Sequence, residues 1–236
     1  MTRELYIVGA GGFARETAQL LATCIPALGK SLRLLGFLDD DPALTGRSVD
    51  GVPVLGPSTA VHDAPHAVAV LCVGSPRDPF ARMRLAGRLG LPENRYATVV
   101  HPTVSVSVDS VVGPGTVLLA QSVLTAGVRI GSHVAVMPRV VLTHDDVVED
   151  YATLASGVLL GGGVRIGRGA YIGAGAMIRE HVTIGAGSVL GMGSVVRHDV
   201  PPGEVWAGNP ARRLRRAEAP AAAPLVSVSG TGGMGG

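Results

Sequence analysis

Three stretches of this 236-residue chain carry residue types at spacings that could do chemistry. His144 is followed by Asp145 and Asp146. A carboxylate beside an imidazole can fix its tautomer and raise its basicity, as a general base requires. Gly161-Gly162-Gly163 offers bare backbone N–H groups of the kind that stabilise a developing oxyanion. Gly9, Gly11 and Ala14 match G-x-G-x-x-G/A between an apolar run, Leu5 to Val8, and a helical stretch from Phe13 to about Leu21. In that context amides at a helix start can face a phosphate. A second apolar run, Leu34 to Leu38, leads into Asp39 and Asp40, placed to hydrogen-bond a ribose or a base edge. Plainer readings stand beside these. The glycines also suit a tight strand–helix turn, the aspartates a solvated loop, and His144 a solvated corner like His133, His181 and His198.

What must position these groups is a repeat. From Val100 to Val196 every sixth residue is aliphatic, at all seventeen positions. A helix needs a period near 3.6 and an ordinary strand a period of 2, whereas six belongs to the β-helix repeats. Four residues after each aliphatic position sits a small or β-branched residue, with Asp146 the one charged exception. With three hexads to a coil, residues 18 apart stack about 4.8 Å from one another. Since 144 plus 18 is 162, His144 is expected one layer below an exposed Gly162 backbone. Asp146 falls where the repeat demands an interior residue and an unpaired charge is costly. The coil is therefore expected either to bulge there or to use Asp146 in the site.

Composition narrows the class. An apolar share of 47% with only 3% aromatics predicts an aliphatic core, and 34 glycines suit the corners of a solenoid. The net charge of +2, with no basic run beyond Arg212, Arg213, Arg215 and Arg216, leaves no nucleic-acid footprint, so the expected partner is small. No signal peptide and no membrane-length apolar run is legible, and a cytoplasmic protein is expected. Cys24 and Cys72 are too few for a disulfide framework and read as buried structural thiols. The spacings among His133, His144, His181 and His198 are 11, 37 and 17, none a multiple of 18, which argues against a three-histidine metal centre.

Before the hexads, strands near Leu5–Val8, Leu34–Leu38, Val52–Leu55 and Ala67–Val73 alternate with helices, the last from about Asp78 to Leu89. This predicts a small parallel α/β sheet. Its size suits a mononucleotide rather than a full dinucleotide. The expected domains are a Rossmann-like unit over 1–98, a β-helix over 99–216 and a disordered tail over 217–236.

The chain resembles the bacterial acyltransferases that include sialic acid O-acetyltransferases and nucleotide-4-amino-sugar N-acetyltransferases. The resemblance rests on Leu5 through Glu16, on Gly36-Phe37-Leu38-Asp39-Asp40, on the hexads with Thr143-His144-Asp145, on Ile184 through Val189, and on Gly208-Asn209-Pro210-Ala211-Arg212. It implies a left-handed parallel β-helix that trimerises, with acetyl-CoA as co-substrate in a groove between subunits and the nucleotide sugar on the N-terminal domain. It further implies His144 as general base, Asp145 as its support and the Gly162 amide as oxyanion donor. Acceptor contacts are implied at Gly9, Gly11, Gly12, Phe13, Asp39 and Asp40, and acetyl-CoA contacts at Thr153, Gly162, Gly163, Ala174, Met192 and Arg212. Two positions depart from many members, which have cysteine where Asp146 stands and a second histidine where Thr153 stands. Direct N-acetylation of a nucleotide-linked amino sugar is the expected reaction, because both cysteines lie away from the coils. O-acetylation of a sugar hydroxyl would use the same groups, and a non-catalytic sugar-binding scaffold is the reading from another class.

Overall fold

The computed structural model describes residues 2–23 and 32–217, so Cys24 and residues 218–236 of the expected tail lie outside the described residues. β1 (Arg3–Val8) buries Leu5 and Ile7 completely. α1 (Gly12–Thr23) begins in the glycine turn and turns Ala14, Thr17, Ala18 and Leu21 inward, one face of a 3.6-residue period. β2 (Leu32–Leu38), β3 (Ser48–Val49), β4 (Val52–Gly56) and β5 (Val68–Leu71) complete a sheet of order β3-β4-β2-β1-β5. All pairs in it are parallel except the edge pair β3–β4. α2 (Ala81–Leu89) follows and ends at Gly90, whose left-handed φ of 57° stops the helix.

The hexads form the left-handed parallel β-helix expected of them. Each contributes a two-residue strand, and the strands stack into three ladders. Face I runs from Val99–Val100 to Val189–Leu190 and is extended by the C-terminal hairpin Glu204–Gly208 and Ala211–Arg216. Face II runs from Ser105–Val106 to Val195–Val196, and face III from Val111–Val112 to Thr183–Ile184. Between hexads partners are 18 apart, as in Val123 with Val141 and Arg129 with Val147. Every sixth residue from Gly115 to Gly193 turns the corner in the left-handed region. Glycine suits that region best, yet Asp145 (φ 64°) and His133 (φ 57°) occupy it here.

The N-terminal sheet and helices dock on face I. Val99, Val117 and Leu119 share one apolar cluster with Leu5, Ile7, Ala14 and Leu20. The clasp at this junction is Arg82, 2% exposed. Its guanidinium donates to the carbonyls of Val73 (2.8 Å), His133 (3.0 Å), Tyr151 (2.8 Å) and Ala152 (3.0 Å) and to Thr153 Oγ1 (2.6 Å). Burial lowers its pKa to about 10, still high enough to keep it charged near neutral pH. Arg82→Met would keep the apolar stem but orphan these oxygens, so it is expected to cost on the order of 3 kcal/mol in denaturant unfolding. An unchanged midpoint would show that the clasp carries no stability.

His133 is not the solvated corner expected of it. It is 5% exposed, stacked on Tyr151 at 5.0 Å, the residue 18 further on, and met edge-on by Tyr96 at 4.4 Å. Burial, then the nearby Arg82, lowers its pKa to about 4, so it is held neutral. Among the described residues no helix is long and apolar enough to cross a membrane.

Candidate active site

The edge between faces II and III carries the imidazole. Val141–Leu142 ends face II and Val147–Val148 begins face III, so residues 144 and 145 must turn the corner and project outward. His144 Nδ1 lies 3.0 Å from Asp145 Oδ2, and both side chains are exposed. The left-handed φ of Asp145 brings its carboxylate back beside the ring it follows. With Nδ1–H donated to Asp145, Nε2 is left as the lone-pair nitrogen, the state a general base needs.

Gly162 sits one coil on, and any Cβ placed there would collide with His144 Nε2. The 18-residue stacking is therefore real, with one correction: Gly162 is covered by the ring instead of lying exposed. Of the three glycine amides, Gly161 donates to Ile178 O (2.9 Å) and Gly163 to His144 O (2.8 Å). Among the described residues the Gly162 N–H has no protein acceptor.

Asp146 is fully buried, and its oxygens accept from Thr143 N and Val164 N, each at 2.8 Å. Burial drives its pKa up to about 6 against those two bonds. The 18-residue register of the coil survives on both sides of it, and the carboxylate is turned to the backbone while Asp145 meets the imidazole.

The N-terminal candidates gather at the carboxyl ends of β1 and β2. Gly9, Asp39 and Asp40 line a pocket of about 140 Å³ with Ser58 and Val73. Gly9 has φ 106°, and a Cβ there would stand 2.8 Å from Val73 Cγ1, so its glycine is a packing requirement. Gly11 and Gly12 face open space, and Phe13, the second residue of α1, is half-buried. Asp39 accepts from Ala10 N (2.8 Å) and Asp41 N (2.9 Å), and Asp40 from Ser58 N (2.8 Å) and Arg88. Burial pushes Asp40 up, but Ser58 and Arg88 outweigh it and hold the carboxyl below its ordinary range. Both aspartates thus order the loops of the pocket, and a ribose would share them.

A larger cavity, about 570 Å³, runs from Gly12 down α1 along Arg15, Glu16 and Gln19 to Ala120 and Pro138 on the edge between faces I and II. No spacing in the sequence pointed to it, because it lies between a helix and a solenoid corner about a hundred residues apart. The expected acetyl-CoA contacts are dispersed in a single chain. Gly162 and Gly163 lie on the His144 edge, Ala174 and Met192 are stacked 18 apart on the edge between faces I and II, and Arg212 is on the C-terminal strand. Thr153 is on face I and accepts from Arg82, away from the His144 edge. Cys72 is buried with its thiol 3.5 Å from Thr17 Oγ1, and burial raises its pKa to about 12, so it is no nucleophile.

The chain matches two family models, PglD N-terminal domain over residues 4–87 and bacterial transferase hexapeptide (six repeats) over residues 163–198. It is 33% identical over 215 residues to GDP-perosamine N-acetyltransferase of Escherichia coli O157:H7, covering 89% of this chain and 96% of that one. Among solved structures it resembles the acetyltransferase domain of PglB from Neisseria gonorrhoeae FA1090 in complex with acetyl coenzyme A. The TM-score is 0.79 and the identity 30%, over 91% of this chain and 100% of that one. A histidine-to-asparagine variant of perosamine N-acetyltransferase from Caulobacter crescentus, in complex with CoA and GDP-perosamine, aligns with TM-score 0.78 and 27% identity. That match covers 89% of this chain and 96% of the other.

Proposed function

This chain belongs to the nucleotide-sugar N-acetyltransferases built on hexapeptide repeats, and we propose that His144 is the general base of its reaction. It is an acetyl-CoA-dependent enzyme that acetylates the amino group of a nucleotide-linked amino sugar. The observation that carries the assignment of the base is the stack of His144 on Gly162, with Asp145 on Nδ1. Nε2 takes the proton as the sugar nitrogen attacks the thioester carbonyl. The uncommitted Gly162 amide receives the oxyanion, and Asp145 holds the imidazolium that forms. The tetrahedral adduct then expels CoA, whose thiolate takes the proton from the imidazolium, so the base is restored and no acyl-enzyme is needed.

The acceptor is assigned to residues 1–98 and the donor to residues 99–216. In one chain the large cavity beside α1 opens on the edge between faces I and II, whereas His144 is on the edge between II and III. A complete site therefore takes two subunits. Face II supplies the contact: after Ser105 its outward column reads Val123, Val141, Leu159, Met177 and Val195, with Leu159 and Met177 43% and 44% exposed. Face III interrupts its column with Arg129 and Arg165, and face I is covered. An uncovered apolar stripe flanked by the two half-sites supports a ring of three chains. Acetyl-CoA would run between the Gly162–Gly163 edge of one chain and the Ala174–Met192 edge of the next, with Arg212 near its phosphates. The enzyme is placed in the cytoplasm, where acetyl-CoA is available.

Release of CoA thiol, followed with acetyl-CoA and a panel of nucleotide amino sugars, tests the reading, and silence across the panel would sink it. The acceptor's place is tested separately. Gly11 has ordinary backbone and open space at its Cβ position, so Gly11→Val should fold. It is expected to raise the Michaelis constant for the nucleotide sugar about tenfold and to spare acetyl-CoA binding. A fall in acetyl-CoA affinity instead would reverse the two ligands.

A further inference from the structure

Asp146 interrupts a column in which Val128, Val134 and Val140 precede it and Ala152, Val158 and Val164 follow. Its bond from Thr143 takes an amide out of the coil ladder. At every other such position from His101 to Arg179, the residue after the aliphatic one donates to the carbonyl 17 residues on, as Thr125 N does to Leu142 O (3.1 Å) and Gly161 N to Ile178 O (2.9 Å). Thr143 instead turns its amide to Asp146, and its hydroxyl takes Leu160 O at 3.1 Å. The ladder is interrupted at that point: Val141 pairs with Leu159, and Leu142 has no such pairing with Leu160. The other carboxylate oxygen holds Val164 N, just beyond Gly162-Gly163.

One buried group thus grips the residue before His144 and the residue after the glycine layer. We propose that Asp146 is a positioning residue for acetyl transfer, setting the height of the His144 ring against Gly162 without touching either ligand. The inference rests on His144 being the base. Misplacing a reacting group by about 1 Å can cost roughly 10²-fold in rate, so a carboxylate tying the two turns together has a direct effect on turnover. It also opposes stability near neutral pH. Because burial raises its pKa to about 6, with His144 opposing and Asp145 assisting that rise, the favourable contribution belongs to the neutral acid. That contribution is full below the ordinary carboxylate pKa and is lost as pH rises through about 6.

Asp146→Val is the test, because valine is the commonest residue of the column and both amides have other acceptors. Thr143 N can rejoin Leu160 O, and Val164 N can turn to Gly161 O as Ala170 N does to Gly167 O (3.0 Å). The variant is expected to lower kcat roughly 30- to 100-fold with both Michaelis constants within about twofold. Its Tm should exceed the parent's at pH 8 by more than at pH 5. Asp146→Asn keeps one accepting oxygen and should recover part of kcat. A variant that melts lower at pH 8 yet turns over normally when folded would show a structural role only and overturn the proposal. His144→Ala run alongside separates the two levels. If it is inactive while Asp146→Val is fully active, positioning alone is wrong; if both are active, the base assignment has failed.

Discussion

His144→Ala is expected to lower turnover by roughly 10²- to 10⁴-fold, the range for losing a general base, while acetyl-CoA binds almost as before. The ring is exposed on a corner and its one side-chain hydrogen bond among the described residues is to Asp145, so its removal should leave the coil folded. The deficit belongs in kcat because the proton leaves only as the nitrogen attacks. Asp145→Asn should cost less, about tenfold, since it weakens the hold on Nδ1 without removing Nε2. Single-turnover acetyl transfer with calorimetric titration of acetyl-CoA separates chemistry from binding. Near-normal turnover of His144→Ala between about pH 6 and 9 would rule out base catalysis by this residue.

A comparable loss is expected from a change that touches no ligand. Leu159→Asp with Met177→Asp places two carboxylates, one above the other, in the middle of the apolar column of face II. A buried like-charged pair is strongly unfavourable at an interface, while a free chain would leave both side chains solvated. Light scattering should therefore report particles of about a third the parent's mass, folded by circular dichroism and with activity reduced by at least about 10². Full activity in such single chains would place the whole site in one subunit. A mixture of His144→Ala and Gly11→Val chains gives a complementary readout. If the base and the acceptor pocket of each site come from different chains, unfolding and reassembling the two together should yield sites that combine the parent's turnover with the parent's Michaelis constant for the nucleotide sugar, a combination neither variant has alone.

How far the sequence reached depended on whether spacing alone fixed a neighbour. In a solenoid, the contacts of a residue are those 18 places away, so the three-hexad coil and the stack of His144 against Gly162 were legible in the sequence alone. The same arithmetic contained the His133–Tyr151 stack, but could not tell that Tyr96 would bury it, because Tyr96 arrives from outside the repeat. Arg82 was one of three arginines in an amphipathic helix, and nothing in its spacing set it apart from Arg84 or Arg88. Only docking on face I decided that Arg82 is enclosed by carbonyls while Arg84 and Arg88 pair with Asp78 and Asp40.

By itself, then, the sequence determined the coil, its register and the pairing of imidazole with glycine layer, because each follows from a period imposed by local strand geometry. Tertiary structure decided which solenoid face the N-terminal domain covers, that a cavity opens between α1 and the edge at Ala120 and Pro138, and that face II stays bare. It also decided the fate of Asp146. The period could say that a charge stood in the interior. Whether that charge would distort the coil or find two amides to hold depended on where Thr143 and Val164 pointed their N–H groups. That orientation follows from hydrogen-bond competition at one corner, which no repeat encodes.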